Sequence, residues 1–264
     1  MCIRDRERLE KMMIYETRVE KAIEMTENGQ PYINPYDGCV SGCPFCYWLE
    51  REGWEGNIAI RINIAEILDQ ECERWPEGVR LYIGDYCDPY MPVEETYGLT
   101  RQCVEVIKKH GIPLTICTSA KSLLIERDLD LLRGMEELCI VTELCRLDEI
   151  EKLKSGEGHA GIETGNRLKE AGLPVIATFA PIMPGITDVD LVLEALRPDI
   201  PLYIDRFYMK PDSIQEIRLM EYLREKRPEL MEEYRRLIRE GSDAEYEAVI
   251  RRCQGGGRVR QLPF

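Results

Sequence analysis

Val79-Arg80-Leu81-Tyr82-Ile83, then Leu99-Thr100-Arg101-Gln102-Cys103-Val104-Glu105-Val106-Ile107-Lys108-Lys109-His110, then Pro113-Leu114-Thr115-Ile116-Cys117, read as strand, helix, strand. The outer runs are short and rich in Val, Ile and Leu, as strands buried on both faces are. The middle run sets Cys103, Val106 and Ile107 at helical spacing and stops at Gly111. The alternation recurs along the chain. Further strands are predicted at residues 58–62, 138–142 and 175–179, with a weaker one at 202–207. Helices are predicted at 65–75, 123–135, 161–171 (closed by Gly172) and 188–196, the last opened by Asp188 as its N-cap. Repeated strand–helix units imply a parallel sheet with right-handed crossovers. The expected fold class is α/β, a partial (β/α)6-type TIM barrel with a C-terminal helical extension. A doubly wound sheet is the alternative.

The 264 residues suit one large α/β domain. Residues 1–30 are read as an N-terminal extension, 31–210 as the core and 211–264 as a helical extension with a basic tail. The first six residues resemble neither a targeting segment nor the start of a core and stay outside the fold reading. In the extension one helix is begun by Pro228 and another by Ser242-Asp243, and the tail carrying Arg251, Arg252, Arg258 and Arg260 is expected to be flexible. With 35 basic against 49 acidic residues the formal charge is −14. Such a body repels phosphate backbones, which argues against bulk binding of duplex nucleic acid. No apolar run reaches the roughly 18–20 residues of a membrane helix, so no membrane partner is expected, and no secretory signal is visible. Most of the 11 cysteines sit singly, several in apolar segments such as those around Cys103, Cys117 and Cys139. Free thiols in a reducing, cytoplasmic compartment fit that pattern better than a secreted disulfide framework.

The exception is Asn34-Pro35-Tyr36-Asp37-Gly38-Cys39-Val40-Ser41-Gly42-Cys43-Pro44-Phe45-Cys46-Tyr47, with three thiols spaced Cys-x3-Cys-x2-Cys. Pro35, Gly38, Gly42 and Pro44 make the segment a loop. Short spacers let one loop aim three sulfurs at a common centre. Zinc wants a fourth protein ligand, commonly from a second Cys pair or a His pair, and the two histidines, His110 and His159, form no such pair. A cubane iron–sulfur cluster can take three thiolates and leave one iron open to a small ligand. A zinc or redox-sensing site in a non-catalytic protein, completed by a distant cysteine, is the other reading of the loop.

The loop, with Tyr47 after the last thiol, resembles the signature of radical S-adenosylmethionine (SAM) enzymes, and Asn34–Tyr47 resembles the opening motif of their spore-photoproduct-lyase-like branch. Further matches follow in order: Ile60-Arg61-Ile62-Asn63 with Glu66-Ile67-Leu68; Asp88-Pro89-Tyr90-Met91-Pro92-Val93-Glu94 with Tyr97-Gly98-Leu99-Thr100-Arg101; Lys121-Ser122-Leu123-Leu124-Ile125-Glu126-Arg127-Asp128; and Ala180-Pro181-Ile182-Met183-Pro184-Gly185. The series spans residues 32–225, and its order makes it specific.

The resemblance implies a [4Fe-4S] cluster on Cys39, Cys43 and Cys46, with S-adenosyl-L-methionine on the open iron. It implies reductive cleavage of SAM to a 5′-deoxyadenosyl radical that abstracts hydrogen from a substrate. A ferredoxin or flavodoxin would donate the electron. A damaged nucleobase, a protein, a peptide and a small metabolite are all open as substrate. Tyr47 would lie against the adenosine, core packing being its alternative role. Gly84-Asp85 would meet the SAM amino group, a plain turn carboxylate being the alternative. Lys121 would approach the SAM carboxylate, Thr142 would offer a hydroxyl, and Ala180-Pro181 would present backbone to the adenine. Cys87 would donate hydrogen to a product radical or else be a buried, incidental thiol. The chain departs from the branch at Ser41, where His is common, and at Phe45, where Tyr is common.

Overall fold

The computed structural model describes residues 10, 12–51, 54, 56–84, 86–119, 123–241, 244–253 and 257–262. In chain order, β1 (Met13–Thr17), β2 (Glu24–Met25), β3 (Pro31–Ile33) and β4 (Tyr36–Asp37) precede β5 (Asn57–Arg61) and α1 (Ile64–Cys72). Then come β6 (Leu81–Ile83), α2 (Val93–Tyr97), α3 (Leu99–Lys109), β7 (Leu114–Thr118), α4 (Leu129–Leu132), β8 (Leu138–Glu143), α5 (Leu147–Ser155), α6 (Ala160–Glu170), β9 (Val175–Ile182), α7 (Val189–Ala195) and β10 (Leu202–Arg206). Helices α8 (Ile214–Lys226), α9 (Met231–Glu240) and α10 (Ala244–Cys253) lead to β11 (Val259–Gln261).

The main sheet has the order β11-β10-β9-β8-β7-β6-β3-β2. Every neighbouring pair is parallel except β2 with β3. Its core comes from Leu81, Ile83, Leu114, Ile116, Ile140, Ala177, Phe179, Leu202 and Ile204, all fully buried. The apolar strands are sandwiched because the crossover helices must lie on the sheet to bury their own stripes. In a parallel sheet all C-terminal strand ends open on one side, and the loops after β3, β6, β7, β8 and β9 meet there. No helix among the described residues is long and apolar enough to cross a membrane.

Three features differ from the sequence reading. The strand predicted at 58–62 exists as β5, but it pairs with β1 and β4 in a separate three-stranded sheet. The short β3 takes the place beside β6. A buried apolar run satisfies either sheet, so its composition could not say which one it joins. The helix predicted at 123–135 is a tight three-residue-per-turn stretch at Leu123–Asp128 followed by the four-residue α4. Asp128 breaks it: its fully buried carboxylate is drawn inward to Arg101 and Arg127. Finally, the tail expected to be flexible supplies β11, parallel to β10. The Arg258 guanidinium donates to the carbonyls of Leu193 (3.0 Å), Leu196 and Arg197 (2.7 Å). Those carbonyls lie at the C-terminal end of α7, where backbone acceptors lack helical partners and favour a cation. Ser242 and Asp243, read as a helix start, lie outside the described residues.

His159 caps α6: its Nδ1 accepts the Ile162 amide (3.3 Å) and its Nε2 donates to the Leu144 carbonyl (3.1 Å). The Nδ1 contact needs the neutral ring, and burial holds its pKa below the ordinary histidine value. The folded state therefore binds this proton less readily than the unfolded chain. The contribution is complete above about pH 6.5, the unfolded value, and is lost as pH falls toward the folded one. Urea melts of wild type and His159→Asn at about pH 7.5 and about pH 5.5 measure it. Wild type loses more stability on acidification than the variant; equal losses would contradict the assignment.

Candidate functional site

The thiol loop leaves β4 at Gly38, whose φ is +117°. A Cβ there would sit 2.0 Å from the Asn57 carbonyl oxygen of β5, so only glycine lets the loop lie this close to the small sheet. Beyond it, Cys39, Cys43 and Cys46 are half-buried free thiols. Burial pushes all three thiols up, Cys43 to about 12 and Cys46 to about 11, and each of those two feels the charge of Cys39. The sulfurs have different surroundings. The Ser41 amide donates to Cys39 Sγ (3.4 Å), with the Ser41 hydroxyl and the Asp88 amide also directed to it. Cys43 has the Arg146 guanidinium nearby, and Cys46 has the amides of Trp48 and Leu49.

This donor set fits an iron–sulfur cluster. Buried thiols are ligands only once deprotonated, and a cationic inorganic core offsets the desolvation that otherwise keeps them protonated. Among the described residues no group of three or more His, Cys, Asp or Glu side chains is placed to hold a metal ion as the side chains stand. A lone zinc asks for sulfurs about 2.3 Å from one centre. A cubane spreads its three thiolates over three irons.

Below the loop lie the strand ends. Gly84, after β6, has φ +90°, and a Cβ on it would lie 2.1 Å from the Cys117 carbonyl oxygen of β7. Cys87 is buried, donates to the Tyr36 carbonyl at 3.0 Å and lies 3.6 Å from Asn34 Oδ1. Burial, with the charge of Cys39 next, raises its pKa well above the ordinary thiol value. Tyr47 is exposed, its ring 5.0 Å from that of Trp48 and its carbonyl accepting from Gln215 (3.3 Å). Ala180 and Pro181 lie near the end of β9 and are joined by a cis peptide.

Thr142 requires a correction. Its hydroxyl donates to the Ile176 carbonyl (3.3 Å), and its side chain faces Gly165 of α6 on the helix-covered side of the sheet. Alternation along a strand turns the next residue, Glu143, to the opposite face, and Glu143 acts on Cys43 and Cys46. Asp85 and Lys121 lie outside the described residues. Sequence reasoning missed Glu143, Arg146 and Cys145, all at or just beyond the end of β8 and all electrostatic neighbours of Cys43. The alternation of β8 was the available signal for Glu143. A cleft of about 550 Å³ has Cys43 and Arg146 in its wall, with Lys152 and Lys226 also lining it.

No family model matches the sequence. An uncharacterized protein of Methanocaldococcus jannaschii is 26% identical over 210 residues, which are 75% of this chain and 78% of that protein. The radical SAM Nalpha-GlyT isomerase of Pseudomonas phage M6 is 30% identical over 84 residues, 30% of this chain but 18% of the phage protein. Among solved structures, a cysteine-to-serine variant of spore photoproduct lyase matches with a TM-score of 0.60 at 16% identity, covering 86% of this chain and 71% of its own. A spore photoproduct lyase variant with bound AdoMet and dinucleoside spore photoproduct matches at 0.58 and 17% identity, covering 81% and 68%. Streptococcus suis SuiB bound to S-adenosylmethionine matches at 0.50 and 15% identity, covering 88% and 50%. The chain has a mixed α/β fold like that of the spore photoproduct lyase structures, and it resembles the spore-photoproduct-lyase-like branch of the radical SAM proteins in both motif order and fold.

Two outcomes test this geometry. Gly84→Ala drives a Cβ into the Cys117 carbonyl from a left-handed backbone and lowers the unfolding free energy by at least about 2 kcal/mol in urea melts; wild-type stability would refute the close approach. Cys87→Ala leaves the iron content of the reconstituted protein unchanged, because that thiol is engaged with Tyr36; loss of iron would make Cys87 a ligand.

Proposed function

We propose that this chain is a radical SAM enzyme with a partial-barrel core, in which Cys39, Cys43 and Cys46 hold a [4Fe-4S] cluster. The reading is carried by one observation. A single loop brings three half-buried thiols within electrostatic reach of one another beside the C-terminal end of β6. The spore-photoproduct-lyase-like fold supports it. When bound, the cluster and SAM supply reductive cleavage of the sulfonium and a 5′-deoxyadenosyl radical that abstracts a hydrogen atom from substrate.

The chain's own part is to bind, orient and exclude water. The Gly38 approach to β5 fixes where the loop starts. Gly84 brings the β6 end against β7, and with Asp85 it is assigned to the SAM amino group. Lys121 is assigned to the SAM carboxylate, the exposed Tyr47 ring to the adenosine, and the Ala180-Pro181 backbone to the adenine. Thr142 is withdrawn from the set because its hydroxyl is engaged on the other side of the sheet. Cys87 is a hydrogen-atom donor only if it leaves the Tyr36 carbonyl. A one-electron carrier of the ferredoxin or flavodoxin type is the expected reductant. A modified nucleobase is the substrate class favoured by the similar structures, one of which holds a dinucleoside spore photoproduct. The −14 charge points to a short or locally opened substrate rather than an intact duplex.

Anaerobic reconstitution tests the proposal. The loaded protein is brown, holds about four irons per chain and releases 5′-deoxyadenosine when reduced with SAM. Cys39→Ala, Cys43→Ala and Cys46→Ala each abolish that release. A colourless, zinc-loaded, SAM-indifferent protein, or full turnover in any of the three variants, would end the assignment.

A further inference from the structure

The segment after β6 is tied to the start of the thiol loop at two points. Cys87 Sγ donates to the Tyr36 carbonyl (3.0 Å) and the Val40 amide donates to Met91 Sδ (3.4 Å). Asp88 lies between these two ties, which bracket Cys39 on the loop, and both its backbone and its charge act on the Cys39 thiol. Its carboxylate is held by the Thr118 hydroxyl (2.7 Å), the Ser119 hydroxyl and the Tyr90 amide (3.0 Å). Among the described residues these donors are neutral, so they orient the carboxylate and offset its charge only in part. Cys43, in contrast, has the Arg146 cation beside it.

We infer that Asp88 is a positioning residue for the cluster, holding the Cys39 corner through its amide and keeping the reduction potential low through its fixed negative charge. The inference rests on the function proposed above. Adding an electron next to a fixed anion in a partly dry site is uphill, so the anion lowers the potential. Glu143 acts on Cys43 and Cys46 in the same sense, and Arg146 opposes it at Cys43. A low potential suits the proposed chemistry, in which the cluster must hand its electron to a sulfonium that is hard to reduce. Asp88 needs no contact with SAM or substrate to act in this way.

The test is an anaerobic titration of the reconstituted holoprotein with dithionite, followed by electron paramagnetic resonance (EPR), with iron content measured in parallel. Asp88→Asn keeps a side-chain acceptor for the Thr118 hydroxyl and the Tyr90 amide but removes the charge. It keeps its iron and shifts the midpoint to a more positive potential. Thr118→Val removes a donor that partly neutralises the carboxylate and shifts the midpoint to a more negative potential. A purely structural role for Asp88 would not give shifts of opposite sign. An unchanged or more negative midpoint in iron-replete Asp88→Asn overturns the inference. If Asp88→Asn cannot hold iron, a Thr118→Val midpoint equal to wild type overturns it. A wild-type chain that assembles no cluster overturns the proposed function instead, and that result is visible before any variant is titrated.

Discussion

The buried carboxylate of Glu94 is the point on which the architecture of this site turns. It is fully buried and accepts from the Tyr36 hydroxyl, the amides of Thr100 (2.9 Å) and Arg101 (3.3 Å), and the Arg127 guanidinium (2.6 Å). Arg127 also reaches Asp128, a second fully buried carboxylate, which accepts from Arg101 (2.9 Å) and from the Tyr90 hydroxyl (3.3 Å). Buried charges persist only when paired and hydrogen-bonded, and removing one partner leaves the rest stranded. Three segments distant in sequence are thereby held in one arrangement. Tyr36 stands just ahead of the thiol loop, residues 88–101 follow β6, and Arg127-Asp128 follow β7. The loop that carries Cys39, Cys43 and Cys46 hangs from this network.

The chemistry at the strand ends inherits that rigidity. Thiols raised by burial, with Cys43 at about 12, are poor ligands until an inorganic core takes their protons' place. A floppy loop would lose them to solvent or to one another. Here the loop is pinned at Gly38 against β5, at Val40 against Met91, and at Asp37, whose carboxylate is gripped by Arg51 (2.6 and 2.8 Å) and approached by Arg61 (3.5 Å). Pinning of this kind limits how far the loop that carries the three sulfurs can move, which is what a site on rigid elements needs.

The sequence and the structure agree best where one physical signal dominates. The strands β6 to β10 were legible because a strand buried on both faces must be apolar throughout, and the thiol loop because its glycines, prolines and Cys-x3-Cys-x2-Cys spacing leave few other uses. Asp188 was readable as a helix start and does accept from the Asp190 and Leu191 amides. The tertiary decisions were not legible. Whether β5 or β3 joins the main sheet depends on partners far along the chain. Arg258 looks like a tail charge until the open carbonyls of α7 are known. Asp88, Glu94, Arg101, Arg127 and Asp128 all lie in segments that matched the branch motifs, yet matching could not say that four of them hold each other and not a cofactor. Thr142 pointed the wrong way because the residue at a strand end faces the mouth or the helices according to register, and one step separates Thr142 from Glu143.

The central claim is a three-thiolate cluster whose fourth iron is left to SAM. Electron–nuclear double resonance on the reduced holoprotein, loaded with SAM labelled by oxygen-17 in its carboxylate or nitrogen-15 in its amine, addresses it directly. Coupling of those nuclei to the cluster is the predicted result. A cluster that assembles fully yet shows no coupling, with a fourth protein side chain on the unique iron, would contradict the account.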